Sequence, residues 1–204
     1  MKRLPQKILI ILFLFLFSTS SAIATELLSE SFSDCGNPAP ADWEVMNSGG
    51  NCDWIFNSDR SNETGGEGCF AMADSDACGS GTSMDTVLVA PSIDCSVSTG
   101  TTLTFAYDAF LKYSSASLIV EISVNGGMDW MNIWQKTEPD RVSKTETIDI
   151  SSEADGQPSV LIRFHYHADA WDWWWQLDDV VVSSSDNEFN WLLFLPAIVG
   201  RQNP

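Results

Sequence analysis

The chain has 204 residues, a formal net charge of −18 at pH 7 and 44% hydrophobic residues. It is long enough for one domain with a proper hydrophobic core. Its negative charge argues against binding to nucleic acid or anionic lipid head groups, although acidic surfaces also serve solubility alone.

Residues 1–24 have the pattern of a secretory signal peptide. Three basic residues (Lys2, Arg3 and Lys7) precede an apolar run, and Ala22-Ile23-Ala24 forms an A-x-A cleavage site. The apolar run is only about half of the ~20 residues that span a bilayer, so we expect cleavage rather than a retained anchor. Loss of the three basic residues would change the net charge to −18 − 3 = −21. We therefore predict a secreted, extracellular or cell-surface protein.

Residues 25–183 have almost no helical periodicity and many short apolar stretches separated by Gly, Asn, Asp and Ser clusters. This pattern predicts an all-β sandwich of two antiparallel sheets. In residues 160–166 the even-numbered positions are apolar or aromatic and should face the core. Asn125-Gly126-Gly127 is a turn signal between two strands. The predicted strands are 26–32, 43–46, 53–56, 69–72, 86–90, 102–110, 117–124, 130–135, 144–150, 160–166 and 173–182.

Five cysteines follow the signal segment: Cys35, Cys52, Cys69, Cys78 and Cys95. Disulfides are expected in an oxidising compartment. Pairing of nearest neighbours joins Cys35 to Cys52 and Cys69 to Cys78 and leaves Cys95 free, although spacing alone does not fix the pairing. None has the C-x-x-C spacing of a zinc or redox site.

Acidic residues on loops form the first candidate site. Carboxylates that alternate on a loop, with backbone carbonyls between them, suit calcium, which takes six to eight oxygen ligands. Acidic residues on the first and last strands would approach from the edge of the sheet. The alternative is that these aspartates only form turns and cap loops. The candidate metal ligands are Asp74, Asp76 and Asp85 on the loops, Glu30 on the first strand, and Asp178 and Asp179 on the last.

Two further candidate sites contain histidine and tryptophan. His165 and His167 should point to the same face of a strand, and a metal ion between them would need a third ligand, which Asp169 could supply. The alternative places both histidines on the outer face of the sandwich without a metal. Among the nine tryptophans, we expect Trp171 and Trp174 to be exposed, where an indole ring could stack on a sugar or an apolar ligand.

The sequence lacks the catalytic motifs G-x-S-x-G, H-E-x-x-H and G-x-G-x-x-G and the phosphate-binding loop. A pair of carboxylates for glycoside hydrolysis stays open, because such pairs are distant in sequence and are recognised by geometry. Residues 184–204 are predicted to be a linker and a short apolar tail. The tail is too short to span a membrane, so it either docks on the sandwich or meets a membrane surface or a sorting machinery.

The order and spacing of several motifs resemble the choice-of-anchor J and cleaved-adhesin domains, which are similar in fold to MAM domains. The resemblance covers about residues 27–183. The motifs that carry it are Ser29-Glu30-Ser31-Phe32, Pro40-Ala41-Asp42-Trp43, Gly68-Cys69-Phe70-Ala71-Met72-Ala73-Asp74-Ser75-Asp76, Met84-Asp85-Thr86-Val87-Leu88-Val89-Ala90-Pro91, Val124-Asn125-Gly126-Gly127-Met128-Asp129-Trp130, Arg163-Phe164-His165-Tyr166 and residues 171–182.

This resemblance implies a secreted bacterial jelly-roll sandwich of about ten strands, with a role in binding or adhesion. It also implies structural calcium, with Glu30, Asp74, Asp76, Asp85 and Asp178 as the candidate ligands. We therefore expect a non-catalytic module that binds an extracellular polysaccharide or a protein surface. Two alternatives are a hydrolase or lyase that acts on polysaccharide, because fold does not decide function, and a cell-surface structural protein held by its C-terminal tail.

Overall fold

The computed structural model describes residues 23–36, 39–56, 59–113, 115–169 and 171–186. Almost all of the predicted signal peptide and of the apolar tail lies outside these residues. In the described part of the chain, no helix is both long and apolar enough to cross a bilayer.

In the residues that the structure describes, ten strands form two antiparallel five-stranded sheets, which confirms the predicted jelly-roll sandwich. The first sheet has the order β1-β10-β5-β8, with β3 also paired to β10, and the second has the order β2-β4-β9-β6-β7. The strands are β1 Ile23–Glu30, β2 Glu44–Gly50, β3 Ala71–Asp74, β4 Met84–Val89, β5 Thr102–Phe110, β6 Ser117–Ser123, β7 Met131–Lys136, β8 Arg141–Asp149, β9 Leu161–Ala168 and β10 Trp174–Asp186, and the two short helices are α1 Ser75–Cys78 and α2 Ser151–Ala154.

The prediction of a strand over residues 53–56 is wrong. Ile55 makes an isolated bridge to Met72, with two backbone hydrogen bonds of 2.8 Å. The apolar residues of this segment, Trp54 and Phe56, are buried, but they enter the core from a loop rather than from a strand.

Alternation along the strands places the core between the two sheets. In β9, residues 162, 164, 166 and 168 are buried and the odd-numbered residues face outward, as the sequence predicts. Trp175 is fully buried, and its ring lies 5.3 Å from that of Trp54, 5.9 Å from that of Phe164 and 6.1 Å from that of Trp134. Truncation of such a tryptophan to alanine typically costs about 3–5 kcal/mol.

Strand β10 changes partner at a bulge. Its first residues pair with β3 and its later residues pair with β1, where Ile23 lies opposite Asp186. Between the two parts the register with β5 shifts from Asp178 to Val181, and Asp179 adopts a φ of 45°. Bulges re-aim side chains, and here two adjacent carboxylates are left at the middle of the sheet.

The four cysteines predicted to form disulfides do so, but the nearest-neighbour pairing is wrong. The pairs are Cys35–Cys69 and Cys52–Cys78, and Cys95 is free and buried. The cause of the first pair is the sheet order: Cys35 follows β1 and Cys69 precedes β3, and both strands pair with β10. Two disulfides indicate a protein of an oxidising compartment.

Candidate functional site

The five predicted metal ligands do not come together in one site. Arg60 binds two of them, through contacts of 2.5 Å from Nε to Asp74 Oδ2 and 3.0 Å from Nη2 to Asp76 Oδ2. Asp74 also caps helix α1, because its Oδ1 accepts hydrogen bonds from the backbone N–H groups of Asp76 and Ala77. Both carboxylates therefore pair with Arg60, and Asp74 also caps a helix. A capping role is the alternative to metal binding that sequence analysis left open.

Glu30 and Asp85 lie in other surroundings. Glu30 Oε1 accepts a 2.8 Å hydrogen bond from the backbone N–H of Phe32, which has a φ of 48°. Asp85 lies in the second sheet, 2.6 Å from a histidine. Within the described ranges, no three His, Cys, Asp or Glu side chains form a group that could hold a metal ion.

Asp178 lies in a buried cluster of oxygen-bearing side chains, and we call Asn62, Thr64, Asp178 and Asp179 the Asp178 cluster. Asp178 has no solvent exposure, and its Oδ2 accepts a hydrogen bond of 2.8 Å from Asn62 Nδ2. The Thr64 hydroxyl lies 3.1 Å from that oxygen and 2.6 Å from Asn62 Oδ1, and its single proton can serve only one of the two at a time. Burial raises the pKa of the Asp178 carboxyl, because it disfavours the charged form.

Both carboxylates of the cluster approach Gly66. A Cβ atom at that position would lie 2.3 Å from Asp178 Oδ2 and 3.2 Å from Asp179 Oδ2. No side chain other than hydrogen fits there, so glycine is required for the close approach. The cluster offers oxygens from two carboxylates, from the Thr64 hydroxyl and from Asn62 Oδ1, atoms that suit a hard cation such as calcium, whereas Asn62 directs its Nδ2 at Asp178.

The loop of residues 59–68, which contributes to this cluster, lies against the outer face of the first sheet. Gln176 holds the loop at two points: its Nε2 donates to Ser61 O and its Oε1 accepts from the backbone N–H of Glu63, both at 2.9 Å. Ser143 Oγ on β8 donates to Glu63 O at 2.6 Å. The loop is thus fixed to two strands by side-chain hydrogen bonds.

The same loop forms one wall of a cleft of about 330 Å³, which we call the Trp174 cleft. The guanidinium carbon of Arg60 lies 4.1 Å from the centre of the Trp174 ring, and that of Arg141 lies 5.7 Å from it. Trp174 Nε1 donates a 2.7 Å hydrogen bond to the buried Asp108. The residues that line the cleft are Asp59, Arg60, Ser61, Glu63, Arg141, Trp174 and Gln176.

The prediction that Trp174 is exposed is wrong, because only 7% of it is accessible. Arg60 covers its ring, and Phe110 packs against it edge to face at 5.5 Å. Trp171 is 47% exposed, as predicted. The half-buried Trp173 stacks on Phe110 with 4.5 Å between ring centres.

A buried carboxylate holds these tryptophans in place. Trp171 and Trp173 have φ angles of 51° and 64°, an unusual conformation for bulky residues that only strong local support maintains. Asp172 between them is fully buried, and its Oδ1 accepts hydrogen bonds from the backbone N–H groups of Lys112 at 2.6 Å and Tyr113 at 2.7 Å. This support fixes the backbone on both sides of Asp172, and the Trp173 ring, which packs 5.2 Å from that of Trp174, forms an aromatic rim beside the Trp174 cleft.

His165 and His167 share the outer face of β9, opposite the buried Phe164 and Tyr166, as predicted. The carboxylate between them is Asp85 rather than Asp169. His165 Nε2 lies 2.6 Å from Asp85 Oδ1, and His167 Nδ1 lies 3.7 Å from Asp85 Oδ2. Asp169 is 3.7 Å from the other nitrogen of His167. The reason is the register of β4 and β9, which sets Asp85 directly opposite His167.

Sequence analysis missed Arg60, Arg141, Asn62, Thr64 and Gly66. The two arginines carry no motif, and only the sheet topology brings them to the same tryptophan. The glycine pair at 65–66 indicates a loop. The approach of the two β10 carboxylates to this loop cannot be predicted from it, because the contacting residues are more than a hundred positions apart in the sequence.

No protein-family model matches this sequence, and no curated protein matches it either. Among solved structures, the K3 cleaved adhesin domain of Lys-gingipain from Porphyromonas gingivalis is similar, with a TM-score of 0.56 and 21% identity over 79% of this chain and 99% of that chain. The K1 domain of the same protein has a TM-score of 0.55 and 18% identity, over 78% and 98% of the two chains.

A third similar structure is TmCBM61 in complex with β-1,4-galactotriose, with a TM-score of 0.51 and 10% identity over 79% of this chain and 99% of that one. At these identities the likeness establishes the fold alone. The chain therefore has a cleaved-adhesin-like fold, as the resemblance of its motifs implied.

Proposed function

We propose that this protein is a secreted, non-catalytic module that binds an extracellular or cell-surface polysaccharide at the Trp174 cleft. The observation that carries the proposal is the combination of a polar cleft, lined by Trp174 and two arginines, with the ring of Trp173 packed beside it at 5.2 Å from the Trp174 ring. Sugar-binding sites need an apolar surface for the faces of the pyranose ring and a few fixed polar groups for its hydroxyls.

The polar groups of the cleft suit a polyhydroxylated ligand. Arg141 is half exposed, and its contacts to Asp108 at 3.5 Å and to Glu63 at 3.9 Å are long, so its guanidinium keeps donors for a ligand. Glu63 is also half exposed and can accept hydrogen bonds from hydroxyls. Because Asp59 and Glu63 offset the two arginines, a neutral glycan fits this cleft better than an anionic one.

The comparisons support a binding role rather than a catalytic one, since the similar structures include adhesin domains and a module in complex with a β-1,4-galactotriose. The two disulfides support an extracellular location. The cleavage of residues 1–24 and the role of residues 184–204 stay predictions, because they rest almost entirely on residues outside the described ranges.

We further propose that the Asp178 cluster holds a structural calcium ion, with Asn62, Thr64, Asp178 and Asp179 as ligands. The ion would compensate the negative charges of the adjacent Asp178 and Asp179 carboxylates, of which Asp178 is fully buried. The ligand residues would keep the loop of residues 59–68 on the sheet, and this loop is also a wall of the Trp174 cleft. Calcium binding and glycan binding should therefore be coupled.

A glycan microarray followed by calorimetry tests the proposal. We expect Arg141→Ala and Trp173→Ala each to weaken binding of the best glycan about tenfold, which corresponds to the loss of one good contact. The matched control is Lys144→Ala, a half-exposed basic residue on the same strand that pairs with Glu146, and it should leave the affinity unchanged.

Three outcomes would contradict the proposal. The first is that no glycan binds, and the second is that the two cleft variants bind as tightly as the control. The third is that the protein releases reducing ends from a polysaccharide, which would support the alternative of a hydrolase. Chelator should weaken glycan binding if a calcium ion in the Asp178 cluster holds the wall of the cleft in place. An unchanged affinity in chelator would contradict the calcium proposal and leave the glycan-binding proposal standing.

A further inference from the structure

A second cleft, of about 370 Å³, lies on the second sheet, between the β6–β7 turn and helix α2. We propose that this Trp130 cleft is a second, independent binding site for a neutral glycan; the inference rests on the proposed glycan-binding function. Its lining residues are Ile122, Ser123, Val124, Asn125, Asp129, Trp130, Met131, Ser152, Glu153 and Gln157.

Trp130 is a fixed aromatic wall of this cleft. Arg163 lies over its ring at 4.2 Å, and its Nε1 donates a 3.0 Å hydrogen bond to Gly127 O. The turn beneath it is closed by hydrogen bonds from Asn125 Nδ2 to Asp129 Oδ2 at 2.8 Å and from the Asp129 N–H to Asn125 Oδ1 at 3.0 Å. An aromatic ring held in one orientation can bind a sugar face with little loss of conformational entropy.

The opposite wall carries polar side chains on a rigid backbone. The backbone of Gln157 is held by hydrogen bonds of 3.0 Å to Ala154 O and 2.9 Å from the Cys95 N–H. The side chains of Glu153 and Gln157 are half buried, and neither has a hydrogen-bond partner among the residues that the structure describes. A carboxylate and an amide with free hydrogen-bonding capacity are the groups that recognise pairs of sugar hydroxyls.

Charge argues against an anionic ligand in this cleft. The charged residues in its lining are Asp129 and Glu153, both acidic, and Arg163 is held behind the tryptophan ring. A uronate, sulfate or phosphate group would be repelled there. The rim also has exposed apolar residues, with Met131 46% and Val124 43% accessible, which suits the mixed polar and apolar surface of a sugar.

The two clefts lie on different sheets and share no lining residue. The Trp174 cleft is lined from β8 and β10 of the first sheet, and the Trp130 cleft is lined from β6 and β7 of the second. A module with a site on each sheet can cross-link two polysaccharide chains, or gain avidity on one polymer by multivalent attachment.

Indole N–H signals in a ¹⁵N–¹H correlation spectrum test this inference with the intact protein. The probes are β-1,4-galactotriose, xylotriose and cellotriose, with trigalacturonate and trilysine as anionic and cationic comparisons. We expect at least one neutral trisaccharide to shift the Trp130 indole signal, which Trp130→Phe assigns. The shift should persist in Arg141→Ala and should need at least a tenfold higher ligand concentration in Glu153→Ala/Gln157→Ala.

The matched control is Met128→Ala, which removes the most exposed side chain of the same turn outside the lining and should leave the titration unchanged. The inference is overturned if neutral sugars shift only signals of the Trp174 cleft, or if the double variant titrates like the wild type. A shift with trilysine alone would overturn it in favour of a basic peptide ligand. If no sugar shifts any signal at either cleft, the proposed function itself fails.

Discussion

The Asp178 cluster makes a sharp prediction for the substitution Gly66→Ala. The new methyl group would lie 2.3 Å from Asp178 Oδ2 and 2.8 Å from Asp178 Cγ, well inside contact distance. The Asp178 carboxylate would have to move by about 1 Å, and forced movements of this kind cost about 1–3 kcal/mol. The movement also breaks the hydrogen bonds from Asn62 and Thr64, each worth about 1.5–3 kcal/mol when the acceptor is charged.

Because the displaced groups can relax in part, we expect a total loss of about 3 kcal/mol in the free energy of unfolding. For a domain of this size, such a loss lowers the melting temperature by about 6–12 °C. Calcium at a hundredfold excess over its dissociation constant would stabilise the wild type by about 2.7 kcal/mol. This increment should be absent in Gly66→Ala, because the methyl group occupies the space between the two carboxylates.

Thermal unfolding in calcium and in chelator measures both quantities. The control is Gly49→Ala, which places a methyl group at an ordinary 3.6 Å from Asp85 Cβ and should change the melting temperature little in either condition. The reasoning is refuted if Gly66→Ala melts within about 1 °C of the control, or if it keeps the full calcium increment of the wild type.

Three further predictions concern stability. Burial raises the pKa of the Asp178 carboxyl, so the folded state binds this proton more tightly than the unfolded state does. The protonated carboxyl therefore contributes its full stability below about pH 3.9, and this contribution is lost as the pH rises through the folded pKa. In chelator, Asp178→Asn should therefore gain stability over the wild type between about pH 4 and 7; a parallel pH dependence of unfolding would contradict this. Replacement of Cys52 and Cys78 by alanine should cost about 3 kcal/mol in denaturant unfolding, because the disulfide closes a loop with a sequence separation of 26, and an unchanged midpoint would be inconsistent with the pairing. Asp172→Ala should cost about 3 kcal/mol and weaken glycan binding, since two backbone N–H groups lose their acceptor; a variant that binds normally would mean that the aromatic rim does not need this support.

The sequence predicted the parts of the fold that depend on local periodicity. Alternation over residues 160–166 located β9 and its buried face, and the same alternation put His165 and His167 on the outer face. The strand predicted over 53–56 failed, since burial of Trp54 and Phe56 can also be achieved from a loop held by one bridge. Periodicity reports burial, and it does not by itself report backbone pairing.

The candidate sites depend on contacts that the sequence does not reveal. Residues 74, 76, 85 and 178 have the composition of calcium ligands, but the register of the sheets separates them and gives two of them to Arg60 and one to His165. Trp174 was expected to be exposed because alternate tryptophans face opposite sides of a sheet. The outer side is covered by Arg60 from a loop more than a hundred residues earlier in sequence. Strand order and loop placement, which set these contacts, are properties of the whole chain.

The pairing of Thr25 with Ser184 has a consequence for how the domain is presented. After the predicted cleavage, the new N-terminus would lie beside the end of the last strand, at one corner of the sandwich. Trp174 begins the thirteen-residue final strand, so the Trp174 cleft lies about 40 Å from Asp186 at the other end of that strand. A load applied through polypeptide that follows β10 would act first on the pairing of β1 with β10, far from the proposed binding site.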